Sequence, residues 1–99
     1  MSIVAADQTL FHIDITYVVD LELIDGYMSA HMDYLGEGYA RGFFLASGPK
    51  VPRTGAVILA TASERSVLEA FLQRDPLVQH GLTTMTVVEF KPCHTVDGL

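Results

Sequence analysis

Four strand-like segments, interrupted twice by segments of helical period, follow in the order β-α-β-β-α-β along a chain of only 99 residues. The first strand is predicted at 11–19, where Phe11, Ile13, Ile15, Tyr17 and Val19 alternate with His12, Asp14, Thr16 and Val18, a period of two. One helix is predicted over 20–42. Ile24, Met28, His31 and Leu35 stand at i, i+4, i+7 and i+11, which places them on a single helical face. Asp20 or Asp25 offers an N-cap. Gly36 and Gly38 each cost a helix about 1 kcal/mol relative to Ala, so its far end is expected to fray or kink there.

A second, short strand is predicted at 43–47, stopped by Gly48-Pro49 and a loop holding a further proline. The third strand covers 56–62. A second helix, 63–74, takes Ser63 as its N-cap and turns Val67, Leu68, Phe71 and Leu72 inward. Asp75-Pro76 then opens one more helical turn, because a proline in the first helical position gives up no needed hydrogen bond. Gly81 suits the left-handed position that closes it. The last strand is 83–90, ended by Lys91-Pro92.

This order predicts an α+β, ferredoxin-like βαββαβ fold, a four-stranded antiparallel sheet with two helices on one face. The domain spans 11–92, after an N-terminal lead of 1–10 and before a C-terminal tail of 93–99. Two helices cover one face only. Strands two and three nevertheless carry apolar residues on both faces: Phe43, Phe44 and Leu45, then Val57, Ile58 and Leu59. Apolar area left in water costs about 25 cal/mol per Å². A homodimer that pairs two sheets face to face, enclosing a space between them, is the expected remedy.

Composition removes several classes of function. At 49% hydrophobic and 18% charged the chain is not intrinsically disordered. A net charge of -6 without a basic run fits poorly with a phosphate backbone, so no nucleic acid partner is expected. Cys93 stands alone, which rules out an internal disulfide and suits a reducing compartment. The first eight residues carry no basic, apolar leader pattern. No apolar run reaches the roughly 18–20 residues that span a bilayer. A cytoplasmic protein with no membrane partner is expected.

His31 is the most informative residue, being the one polar member of an otherwise apolar helical stripe. Imidazole exchanges a proton near neutral pH and serves as a general acid or base. The bland alternative is a core histidine with both nitrogens satisfied by carbonyls. Asp75, before Pro76, has the ordinary role of a helix cap. Ser47 and Gly48 at the strand end are candidates for a pocket mouth, Gly48 through an unusual backbone angle or the close approach of a ligand. His12 and Asp14 join them if their face lines a cavity, although two such ligands on one strand are a weak metal signal. Cys93-His94 reads as part of a disordered ending rather than a metal site.

Particular residues together resemble the YCII-related (YciI-like) domain family. They are Ala30-His31-Met32-Asp33-Tyr34-Leu35, Ala46-Ser47-Gly48-Pro49, the Ser63-Glu64 helix start, Asp75-Pro76-Leu77-Val78-Gln79-His80-Gly81-Leu82 and Phe90-Lys91-Pro92. The resemblance implies a dimeric α+β barrel, with a His/Asp pair in a pocket that carries over to His31 and Asp75. Asp75 would then orient His31 and stabilise its imidazolium. One branch of the family is a dehydrochlorinase of a chlorinated hydroxyhydroquinone. The chain departs from common members in lacking an arginine just before the helical histidine, where it has Tyr27-Met28-Ser29-Ala30. No glycine-rich phosphate loop or metal cluster is present in the sequence, so no cofactor is expected. The expected activity is proton-transfer chemistry of lyase, dehydrohalogenase or isomerase type on a small apolar or aromatic molecule. The alternative is a non-catalytic dimer that binds such a molecule.

Overall fold

The computed structural model describes residues 3–99. Strand β1 (Thr9–Tyr17) takes an inner place in a four-stranded sheet, with β3 (Gly55–Ala62) on one side and β4 (Thr83–Phe90) on the other. Strand β2 (Phe44–Pro49) pairs with the outer side of β3, giving the order β2-β3-β1-β4, antiparallel throughout. Helices α1 (Leu21–Gly26) and α2 (Met28–Ala40) connect β1 to β2, while α3 (Arg65–Leu72) and α4 (Pro76–Gln79) connect β3 to β4. This is the expected ferredoxin-like α+β arrangement.

Alternation along β1 divides the sheet into two unlike faces. Phe11, Ile13 and Ile15 point into the core with Ile58, Ala60 and Phe44, beneath Tyr34 and Leu35 of α2 and Leu68, Phe71 and Leu72 of α3. Ile24, Leu77 and Leu82 form a smaller cluster that ties α1 to α4. His12 and Asp14 occupy the other face, level with Leu59 and Val57 of β3 and with Val88 and Thr86 of β4. On that face Val88 is half exposed.

Several boundaries differ from the sequence expectation, each for a physical reason. Strand β1 begins at Thr9 and ends at Tyr17, not 11–19, because Thr9 and Leu10 find partners in Ala62 and Thr61. The predicted lead is therefore shorter. The first helix is two helices, broken at Tyr27 (φ -105°, ψ 2°). The break lets α1 bury Ile24 beside α4 while α2 packs on the sheet. Helix α2 runs unbroken through Gly36 and Gly38. Gly38 is a contact position, since a Cβ there would stand 2.2 Å from the Phe44 ring.

Strand β2 continues through Gly48-Pro49 instead of stopping before it. A proline lacks the donor that an inner strand needs, but β2 is an edge strand and tolerates one. Glu64, not Ser63, occupies the N-cap of α3, with no side-chain cap bond, and Val67 faces outward. The tail is not a loose ending, because the Gly98 and Leu99 carbonyls accept hydrogen bonds from the Ile3 and Val4 amides. Gly81 does adopt the left-handed backbone (φ +69°) expected of it. Among the described residues, no helix is long and apolar enough to cross a membrane.

Candidate functional site: a buried His31–Asp75 pair at an apolar cavity

Asp75 is fixed first by its place in the chain. It is the N-cap of α4, Pro76 follows as the first helical residue, and Asp75 Oδ1 accepts the Leu77 amide at 2.9 Å. The same oxygen stands 2.9 Å from Nδ1 of His31. Capping and orienting therefore coincide on one atom rather than dividing between the two carboxylate oxygens. Both residues are buried, His31 at 5% and Asp75 at 2% exposure. The two positions are 44 residues apart in sequence, and the packing of α4 beside α2 brings them together.

An ionised carboxylate only accepts hydrogen bonds, so neutral His31 carries its proton on Nδ1 and its lone pair on Nε2. Among the described residues no protein group hydrogen-bonds Nε2. His31 lines a cavity of about 260 Å³ between α2 and the ends of β2 and β3, whereas Asp75 stands behind the ring, outside the lining. The walls are mainly apolar, from Ile15, Met28, Met32, Leu35, Ala56 and Ile58; Tyr17, Ser47 and Arg53, with His31, supply the polar groups of the lining. An apolar cavity of roughly 150 Å³ takes a benzene molecule, so a substituted single ring fits this one.

Ser47 and Gly48 line the cavity. Ser47 Oγ is 2.7 Å from the Tyr39 hydroxyl and has no base beside it. Gly48 has no left-handed backbone, and a Cβ there would meet nothing within 4 Å. A side chain at 48 therefore does not strain the strand, and since Gly48 pairs with Val57 it would project from the opposite face of the sheet, away from the cavity. His12 and Asp14 do not line it. The inward turn of Ile13 and Ile15 sends them to the opposite face of the sheet, where Lys50 Nζ donates to Asp14 Oδ1 at 2.6 Å and holds that carboxyl below the usual carboxylate range. Among the described residues no group of three or more His, Cys, Asp or Glu is placed to hold a metal ion.

One feature escapes the sequence. Arg53, in a proline-containing loop read only as a strand stop, lines the cavity with Nη2 donating to Asp25 Oδ1 at 2.6 Å. Tyr34 stacks on Phe71 at 4.9 Å between ring centroids and donates its hydroxyl to the Phe71 carbonyl at 3.1 Å. Burial, with the charge of Asp75 adding to it, pushes the Tyr34 phenol well above its ordinary value of 10.0. The folded protein thus keeps this proton when the unfolded chain has lost it. The associated stability is intact below about pH 10 and lost as the pH climbs beyond it. Tyr34→Phe is expected to cost about 1 kcal/mol at neutral pH, one buried hydrogen bond, and to flatten the decline above pH 10. Urea unfolding at neutral and alkaline pH checks this; an unchanged alkaline slope counts against it.

A search of curated protein sequences matches nothing, while solved structures give clear likenesses. One is 5-chloro-2-hydroxyhydroquinone dehydrochlorinase (TftG) from Burkholderia phenoliruptrix, solved with 2,5-dihydroxybenzoquinone. It has a TM-score of 0.72 at 22% identity, covering 83% of this chain and 93% of that one. SnoaB, a cofactor-independent oxygenase from Streptomyces nogalater, is similar at a TM-score of 0.55 and 15% identity, covering 93% of this chain and 99% of its own. At such identities the likeness concerns the fold. Sequence itself settles the family: residues 9–91 match the YCII-related domain along the whole sheet and all four helices, and the chain belongs to the YCII-related family.

Proposed function

We propose that this protein is a small-molecule enzyme in which His31 exchanges a proton with the substrate and Asp75 orients and stabilises the imidazole. One observation carries the proposal. The His31–Asp75 contact of 2.9 Å occupies Nδ1 of a buried imidazole that lines an apolar cavity, and among the described residues Nε2 has no protein partner. The large majority of buried side-chain polar atoms have a hydrogen-bond partner. Here one nitrogen is paired and the other is left to whatever enters.

In the forward step Nε2 removes a proton from a ring hydroxyl, or from a carbon next to a carbonyl. The carboxylate behind Nδ1 stabilises the positive charge that results, as the acid of a triad does. The electron pair freed from the substrate moves along the ring and takes the proton back at another carbon, giving a keto tautomer; where that carbon bears halide, loss of a second hydroxyl proton to Nε2 lets the electron pair expel halide from the now tetrahedral carbon, with net loss of HX. Neither course requires a group beyond the dyad and the substrate. The dehydrochlorinase likeness supports the second course and a hydroxylated six-membered ring as substrate. We further propose that the protein works as a homodimer through the sheet face bearing Val57, Leu59 and Val88, which no helix covers.

The test is a turnover screen over chlorinated hydroquinones and enolisable aromatics, following halide release and absorbance. His31→Gln keeps a donor for Asp75 but cannot act as a base. It and His31→Ala are expected to lose about 10²–10⁴-fold in kcat, the usual range for a general acid or base. Equal turnover in all three proteins contradicts the assignment. Binding without turnover in all three favours a ligand-binding module instead.

A further inference from the structure

The geometry points to Arg53 as the anchor for an anionic group, so that the ligand of this cavity is a small ring carrying a carboxylate or an ionised hydroxyl. This rests on the proposed role of the cavity and adds a substrate class to it. Arg53 is the one permanently charged side chain in the lining, and no lining residue is acidic. The rest, His31 and the hydroxyls of Tyr17 and Ser47 apart, is apolar wall that offers an anion nothing. The chain as a whole carries -6, a field that disfavours anions at long range. A local cation at the cavity is what would admit one.

The arginine is held but not used up. A guanidinium has five N–H donors; Asp25 accepts from Nη2 and the Tyr17 hydroxyl also stands against the guanidinium, which leaves donors over. The Arg53 and Asp25 side chains are 36% and 57% exposed, so water screens the pair and it is only weakly held. A carboxylate entering beside it can form the bidentate, charge-assisted contact that arginine prefers. The loop itself is well tied: Lys50 donates to the Gly55 carbonyl, Thr54 to that of Pro52, and Tyr17 of β1 to that of Thr54. Arg53 is therefore presented from a fixed backbone. His31 Nε2 and Arg53 give a ring two distinct handles, an acidic proton at one and a charge at the other.

Benzoate and benzamide, nearly equal in shape and different in charge, test the inference by NMR titration without any turnover. The wild type is expected to bind benzoate roughly tenfold more tightly than benzamide, a difference typical of one charge-assisted contact. Arg53→Gln is expected to erase the preference. Asp25→Asn, which frees the guanidinium, is expected to widen it, and His31→Gln to leave it in place. No benzoate-induced shifts around Arg53 at millimolar concentration, no preference in the wild type, or a preference that survives Arg53→Gln overturns the inference. Failure is separable from failure of the enzymatic proposal. Turnover lost with His31 but no charge preference removes the anchor alone, whereas a preference without turnover in any protein removes the catalysis alone.

Discussion

Asp75→Ala is expected to lower the melting temperature by roughly 10–20 °C and to abolish turnover, while Asp75→Asn keeps most of the stability and loses the activity. The difference follows from one atom. Oδ1 accepts both the Leu77 amide and the His31 Nδ1–H. Alanine removes both bonds. The lost cap is worth about 1 kcal/mol, and a buried imidazole donor left unpaired about 1–3 kcal/mol more. A domain of this size shifts by about 4–8 °C per kcal/mol. An asparagine amide oxygen in the same place can accept both hydrogen bonds, and Asn caps a helix as well as Asp does. What it lacks is the negative charge behind the imidazolium. Its turnover is expected to fall by about 10²-fold or more, within the range of general acid–base effects. Thermal unfolding of both variants, with turnover at one pH, checks the two parts separately. If Asp75→Asn retains wild-type turnover, the carboxylate only places the ring. If Asp75→Ala unfolds like the wild type, the bonds to Oδ1 carry no weight.

Gly55→Ala has the largest expected effect among the glycines, because its obstacle is backbone. A Cβ at 55 would lie 1.8 Å from the Ile15 carbonyl oxygen and 3.0 Å from Thr16 Cα. Both belong to β1, the strand that β3 pairs with through Thr16↔Gly55 and Ile15↔Ala56. Neither strand can yield without opening that end of the ladder, and no rotamer change relieves the clash. The expected cost is about 3 kcal/mol, the upper part of the usual range for overpacking. Because Ile15 and Ala56 also line the cavity, ligand binding is expected to weaken as well. Gly36→Ala is the contrast: it stands within α2 with nothing inside 4 Å of the new Cβ. It is expected to stabilise by roughly 0.5–1 kcal/mol, the helix preference of Ala over Gly. Urea midpoints of the two variants should move in opposite directions; a midpoint for Gly55→Ala that rises or stays put contradicts the packing described at Gly55.

Much of the fold was legible because hydrophobic period is a local signal. The inward set of β1, the stripe through His31, the Asp75-Pro76 cap and the whole of β4 all read from neighbours within a turn or two. What failed depended on partners. Thr9 and Leu10 carry too little alternation to declare a strand, and only pairing with β3 makes them one. Pro49 reads as a stop until β2 is known to be the edge. Alternation placed His12 and Asp14 opposite Ile13 and Ile15 but could not say which side of the sheet would hold the cavity. Nothing within its own segment marks Arg53, since a loop residue gains its role from where the surrounding strands end. Spacing alone left His31 and Asp75 unconnected across 44 residues. Family resemblance joined them, and the packing of α4 beside α2 supplies the physical reason.

The central claim, that Nε2 of His31 presents a lone pair to the cavity with Asp75 behind the ring, is tested most directly by ¹⁵N NMR of the histidine side chains. Neutral His31 is expected as the Nδ1–H tautomer in the wild type, with Nε2 unprotonated and shifting when a ring ligand enters the cavity. A neutral Nε2–H imidazole, or an Nε2 resonance that ignores a ligand bound in the cavity, would contradict it.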